Sequence, residues 1–370
     1  MNRLSRLGNS RRGSAGNLAG PRHRAEASEQ IGRCAGVCPM KTRGLVIFNP
    51  VAGQRGDHLL KRVVTRLETG GMEVTLLAPR SAGELERIVR DASSTDWDCV
   101  IVAGGDGSLK EAMNGRSVNN PPLGLIPTGT ANVVALELGL PTSPDALADV
   151  ILQGRTAQIS LAEANGRQFV FTAGVGFDAY LISTVSSRLK KRFGKLAFAI
   201  AALRDFMRYR FPIFDIVVDG RTYHGAGVLI MNGSLYAGPY AAAPDRKLTD
   251  PDFSVIVLRN PGARAAVSYM FALAKGKLST HADVDFIASA NSVDVTGPEG
   301  TAFQADGDIA GILPLRARSG ADQAQLIVPP LLATPAARHE QFARSSHLQR
   351  THQRYSHCPS VLHGMLPTKC

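Results

Sequence analysis

The sequence predicts an α/β chain of two domains, an open parallel sheet clad in helices followed by a strand-rich β-sandwich. Three observations lead there. From residue 43 to about 158, apolar runs of strand length alternate with stretches of helical apolar spacing, the pattern of strands joined by crossover helices. Past that point the apolar runs are punctuated by Gly and Asx turns, the texture of antiparallel β-structure. The 370 residues, 44% hydrophobic and 20% charged, supply enough apolar surface for two cores. The expected layout is a basic leader over 1–42, an α/β domain over 43–158, a β-rich domain over 159–330 whose end returns toward the first, and a tail over 331–370.

In the first domain, residues 45–48 form an apolar strand that stops at Asn49-Pro50, and a Gly-rich turn follows at 52–56. Residues 58–69 place Leu59, Leu60, Val63 and Leu67 on one helical face. A strand is expected at 73–77, a helix at 82–92, a buried strand at 99–103, a helix beginning at 109–114 and a strand at 123–126. Parallel strands covered on both faces read as continuous apolar runs, and their ligands bind beyond the strands' carboxyl ends. In the second domain strands are expected at 169–173, 214–218, 225–231, 253–258 and 293–296, interrupted by a helix at 195–207. The cleft between the domains is then the place for a site.

The formal charge of +11 is unevenly placed. Residues 1–42 hold eight Lys or Arg against two acids, and 336–370 hold five against one, which leaves +1 for 43–335. A near-neutral body with basic ends argues against a nucleic-acid groove and leaves contact with an anionic membrane surface open. Both ends read as disordered, since neither has a periodic apolar face. The first 25 residues carry six arginines and no acid, as transit peptides do, but lack an amphipathic stripe and a secretory apolar core, so they read as a flexible leader. No apolar run reaches the roughly 18–20 residues of a spanning helix. Cys34, Cys38, Cys358 and Cys370 lie in the ends and Cys99 in a strand, so no disulfide framework is expected and a cytoplasmic setting fits. The spacing of Cys34, Cys38 and the tail histidines is not that of a zinc motif.

Three glycine-bearing loops carry the chemistry. The run 99–103 passes directly into Gly104-Gly105-Asp106-Gly107-Ser108 and then a helix, which is phosphate-loop logic: glycines admit main-chain N–H groups to phosphate oxygens, and a helix N-terminus favours the anion. An aspartate there repels phosphate unless it is neutralised, so Asp106 implies either bound Mg²⁺ or a structural anchor. One strand later, Pro127-Thr128-Gly129-Thr130-Ala131-Asn132 repeats the arrangement, with Thr130 as a phosphate donor and Asn132 as a helix cap. Asn49-Pro50-Val51-Ala52-Gly53 supplies a third loop on the same edge. The segment holding Arg188, Lys190, Lys191, Arg192 and Lys195, then apolar 196–203, then Arg204, Arg208 and Arg210, reads either as a stretch lying on anionic headgroups or as a domain-packing helix.

Standing as NPVAG, GGDGS and PTGTAN, these loops resemble the signatures of the diacylglycerol kinase catalytic family, bacterial lipid kinases related to sphingosine and ceramide kinases. The resemblance continues through FTAGVGFDA (171–179), APDRKLTDPDF (243–253) and FQADGDIAGILP (303–314). It implies an NAD kinase/diacylglycerol kinase-like two-domain fold and an ATP- and Mg²⁺-dependent kinase. That enzyme docks transiently on the cytoplasmic face of a membrane and phosphorylates a lipid alcohol of diacylglycerol or sphingoid type. By position, Asn49, Gly53, Gly104, Gly105, Asp106, Gly107, Ser108, Thr128, Gly129, Thr130 and Asn132 hold the nucleotide, and Asp178 contacts the lipid hydroxyl. The family's general-base carboxylate corresponds to Asp308, which is an Asp where Glu is usual. Being one methylene shorter, it requires the backbone to close in or Asp306 to take the task; read without the family, Asp-Gly-Asp is a hairpin turn. A second Mg²⁺ site would map to Lys247, Asp250 and Asp252, with Pro251 where Gly is usual. Two alternatives remain: an NAD kinase, whose expected Asn-Glu pair is absent from the third loop, and a lipid-binding protein of this fold with impaired catalysis.

Overall fold

The computed structural model describes residues 43–48, 53–81, 83–117, 119–184, 206 and 208–330. The expected leader and tail, Asn49, and the basic and apolar stretch from Arg188 to Arg204 lie outside them. Strands β1 (Arg43–Phe48), β2 (Glu73–Leu77), β3 (Cys99–Gly104) and β4 (Leu123–Pro127) pair in parallel in the order β2-β1-β3-β4. Helices α1 (Gly53–Thr69), α2 (Glu84–Asp91), α3 (Asp106–Gly115), α4 (Val133–Glu137) and α5 (Pro144–Gln153) accompany them. Side chains alternate across a strand, so one sheet is sealed on two sides. Val46, Cys99 and Ile101 pack with Val63 of α1 and Leu147 of α5, while Ile47, Val100 and Val102 pack with Val89 of α2 and Met113 of α3. Each such fully buried aliphatic contributes roughly 1.5–3 kcal/mol.

The second lobe begins with β5 (Thr156–Ala164), β6 (Arg167–Phe169), β7 (Thr172–Val175) and α6 (Phe177–Thr184). It continues through β8 (Phe214–Val218), β9 (Arg221–Gly225), β10 (Gly227–Met231), β11 (Leu235–Tyr236), β12 (Tyr240–Ala241), β13 (Phe253–Leu258) and α7 (Ala263–Ala274). It closes with β14 (Val284–Ala290), β15 (Ser292–Thr296), β16 (Ala302–Ala305), β17 (Asp308–Ile312) and β18 (Leu315–Ile327). A six-stranded sheet, β14-β13-β10-β7-β16-β17, faces the end of a ten-stranded one. Between them lie Phe214, Val293, Leu315, Ile230, Val255 and Phe303, all fully buried. β18 joins the lobes. Its start pairs with β15 and its end with β4 (Leu326 opposite Leu123), so the parallel sheet runs on into the sandwich.

Several elements differ from the sequence expectation. α1 begins at Gly53, inside the expected turn, and α3 begins at Asp106 rather than 109, so the aspartate is the helix's first residue and not a loop residue. The strand expected at 169–173 is broken between β6 and β7, because the amides of 170–172 turn away from a ladder toward the Asp306 carboxylate. Strand 225–231 is split at Ala226. Of the helix expected at 195–207, only Phe206 is described.

Candidate active site

The glycine loops meet at the carboxyl ends of β3 and β4. The amide of Thr128 donates to the carbonyl of Gly104 at 3.0 Å. The two loops touch glycine to glycine: a Cβ added at Gly129 would lie 2.5 Å from the Gly105 Cα and 2.7 Å from Asn132 Oδ1. No other residue type permits that approach. Ser108 folds back over Gly104, Gly107 faces open space and Thr130 is exposed, and the first-turn amides of α3 have no partner within the helix. Asp106 is anchored rather than free. Its Oδ1 accepts the amide of Val134 at 3.1 Å and thereby caps α4 from the neighbouring helix.

Asn132 does not cap α4 with its side chain as expected. In the left-handed region at φ 48°, it sends Nδ2 back to the carbonyl of Gly129 at 2.9 Å and so staples its own loop. Its Oδ1 and the Thr128 hydroxyl are buried without a partner, two polar atoms in the very loop that sequence assigns to a phosphate-bearing ligand.

Across from this rim stands the Asp306-Gly307-Asp308 turn, a hairpin between β16 and β17 with φ of 52° at Asp306 and 80° at Gly307. The two carboxylates have opposite environments. Asp306 is buried and accepts the amides of Val170, Phe171 and Thr172 at 2.8, 3.0 and 3.1 Å. Burial pushes its carboxyl up to about 6, against the pull of those amides and of Lys110. Both its oxygens accept backbone amides, so the carboxylate is held within the turn. Asp308 is 64% exposed at its side chain and pairs with Lys110 of α3, a contact that crosses from one lobe to the other.

Asp178, at the start of α6, sits behind the same turn. Its Oδ2 accepts the Tyr236 hydroxyl at 2.9 Å and Gln304 Nε2 at 3.3 Å, and the Gln304 Oε1 accepts the Gly307 amide at 3.0 Å. Burial raises the Asp178 carboxyl and lifts the Tyr236 hydroxyl further, the latter reinforced by the Asp178 charge. The circuit closes through α4: buried Glu137 accepts the Ser234 hydroxyl at 2.9 Å and the Leu235 amide. Polar contacts thus run from Asp106 to α4 and from Glu137 to Ser234 and Leu235; the next residue along the chain, Tyr236, leads to Asp178, Gln304 and the Asp-Gly-Asp turn, and so to Lys110 of α3. Lys110, Tyr236, Glu137 and Gln304 were not singled out from sequence. Lys110 lies four residues after Asp106, one helical turn along the same face, a signal hidden by starting the helix at 109.

At Lys247, Asp250 and Asp252, where the resemblance implies a second Mg²⁺ site built from one carboxylate and main-chain carbonyls, both carboxylates already have protein partners. The charge that Asp250 and Asp252 call for is supplied by Arg246, whose side chain is only 5% exposed and whose Nη2 lies 2.6 Å from Asp252 and Nε 3.8 Å from Asp250. Ser289 takes the other Asp252 oxygen, and the Lys247 carbonyl accepts the Asp250 amide at 3.0 Å. Among the described residues no group of three or more His, Cys, Asp or Glu could hold a metal ion. At the glycine rim the donor set does suit a Mg²⁺ carried by a nucleotide, because one oxygen of Asp106 stays clear of the Val134 amide.

Comparison with known proteins agrees with this architecture. The family model described as the diacylglycerol kinase catalytic domain matches residues 43–164, and that of the YegS C-terminal NAD kinase beta sandwich-like domain matches 172–332. The pair defines a lipid kinase. Proteins named diacylglycerol kinase from Bacillus subtilis (strain 168) and Staphylococcus carnosus (strain TM300) are 30% and 29% identical over 280 residues, covering 74% of this chain and 91% of each relative. The chain belongs to the diacylglycerol kinase family. A solved diacylglycerol kinase structure from Bacillus anthracis str. Sterne, 24% identical, shares the fold at a TM-score of 0.63, covering 78% of this chain and 98% of that one.

Proposed function

We propose that this chain transfers the γ-phosphoryl group of ATP to the free hydroxyl of diacylglycerol. The observation that supports it is the Lys110–Asp308 pair, which sets a solvent-reachable carboxylate of the second lobe against the glycine rim of the first. The first-turn amides of α3, with Ser108 and Thr130, receive the phosphates. Mg²⁺ accompanying the nucleotide, next to Asp106, would neutralise the charge in transit. Asp308 takes the proton of the lipid hydroxyl as that oxygen bonds to phosphorus, and the bond between phosphorus and the ADP oxygen breaks. Lys110 holds the short Asp308 side chain at the rim, which compensates for the methylene that Glu would add. Asp178, backed by Tyr236 and Gln304, orients the acceptor. The acceptor is membrane-resident, and no helix among the described residues is long and apolar enough to cross a membrane, so the enzyme meets it from the surface.

The test is phosphate transfer from labelled ATP to diacylglycerol in mixed micelles with Mg²⁺. Asp308→Asn should lower kcat by roughly 10²–10⁴-fold while the melting temperature stays within a few degrees. Label entering NAD instead of lipid would replace this reading with NAD phosphorylation, and full activity in Asp308→Asn would remove Asp308 as the base.

A further inference from the structure

Helix α7 has no part in the reaction just described, yet its outer face exposes two large apolar side chains in succession, Met270 and Phe271. Its 12 residues carry one charge, Arg264. The inner face is anchored: Tyr269 and Ala272 are buried with Leu229, Met231, Ile256 and Leu278, and Tyr236 packs against the same cluster. At 100° per residue, Arg264, Ser268, Phe271 and Lys275 fall in one stripe, with Val267, Met270 and Ala274 beside it. Phe271 is 64% exposed and Met270 54%, the former the most exposed large apolar side chain among the described residues. Arg264 lies in the first turn and Lys275 and Lys277 just past the last, all exposed and none in an ion pair among the described residues. The helix packs on β12, where Tyr240 is also exposed, and the β11–β12 hairpin carries Tyr236 to Asp178.

We propose that α7 is a membrane-docking element whose Met270 and Phe271 enter the acyl boundary of an anionic bilayer while Arg264, Lys275 and Lys277 contact headgroups. Apolar side chains bracketed by cations on a helix fixed from behind match such a surface in both chemistry and charge. A second copy of this chain fits less well, since any two-fold pairing along the helix sets cations of one copy on cations of the other. The proposal rests on the lipid-kinase reading and adds to it the place where the bilayer meets the protein, one hairpin from the acceptor carboxylate.

The chain has a single Trp, Trp97, so Phe271→Trp in a Trp97→Phe background reports on position 271 alone. With vesicles of phosphatidylglycerol in phosphatidylcholine, its emission should shift to the blue and be quenched by brominated acyl chains; unchanged emission overturns the proposal. Met270→Asp/Phe271→Asp should weaken co-sedimentation with those vesicles by about tenfold or more, with kcat on a water-soluble short-chain diacylglycerol unchanged. Wild-type sedimentation by that variant, or a loss of self-association in place of a loss of vesicle binding, also overturns it. If short-chain diacylglycerol is not phosphorylated even by the wild type while the indole at 271 still inserts, the kinase assignment falls and the docking surface stands.

Discussion

Asp306 and Asp308 stand two residues apart in one turn, and everything that separates their roles is environment. The residue pattern Asp-Gly-Asp made both visible, and it also suggested a hairpin, which the positive φ values of Asp306 and Gly307 bear out. Nothing in the sequence says that three amides from residues 170–172 converge on the first carboxylate, because those partners are more than 130 residues away. That capture has a consequence for pH. Burial holds the Asp306 carboxyl near 6, above the ~3.9 of an exposed aspartate. Between those values the folded chain keeps a proton the unfolded chain has lost, so this group makes the fold more stable as pH falls from about 6 toward 4, by on the order of 2 kcal/mol. Asp306→Asn removes the titration. It also turns an amide toward backbone donors, at a cost of about 1–3 kcal/mol. Urea midpoints from pH 4 to 7 should show the wild type gaining stability relative to the variant on acidification; parallel curves would mean Asp306 titrates like an exposed carboxylate.

Among the elements, the parallel strands were legible because burial on both faces leaves an unbroken apolar run, as in Cys99–Gly104. Of β18 only a chain end that returns toward the first domain was legible, although Leu315-Arg316-Ala317-Arg318 alternates apolar and polar as a half-buried strand does; the interruption at Ser319-Gly320 hides how far the strand continues. α7 escaped notice for a different reason: apolar residues on nearly every side blur its period, and Gly262 before it offers no side-chain cap. The glycine loops were legible as motifs, but their mutual contact belongs to the pairing of β3 with β4. Gly129→Ala tests that contact. Its Cβ would press on the Gly105 Cα at 2.5 Å, backbone on backbone, where no rotamer change gives relief. The expected result is a loss of about 1–3 kcal/mol of stability together with a several-fold rise in KM for ATP; a variant with unchanged KM would separate the loop contact from nucleotide binding.

At the level of the whole molecule, the lobes are joined in two ways that do different work. β18 and the shared sheet fix their relative position through backbone pairing, whereas the polar circuit through Glu137, Asp178, Gln304 and Lys110 sets the geometry at the rim. The Lys110–Asp308 pair can therefore be removed without separating the lobes. With Asp308 64% exposed, solvent screening leaves such a pair worth no more than about 1 kcal/mol. Lys110→Met should accordingly leave the melting temperature nearly unchanged while kcat falls by about tenfold or more, and Lys110→Arg should recover part of the rate by restoring a cation of similar reach. Because Lys110 acts by holding Asp308, the two losses must not add: Lys110→Met/Asp308→Asn should be no slower than Asp308→Asn alone. Fully additive losses in kcat would show instead that the lysine works on the phosphates independently of the carboxylate, and the compensation between a longer arm on one lobe and a shorter acid on the other would no longer hold.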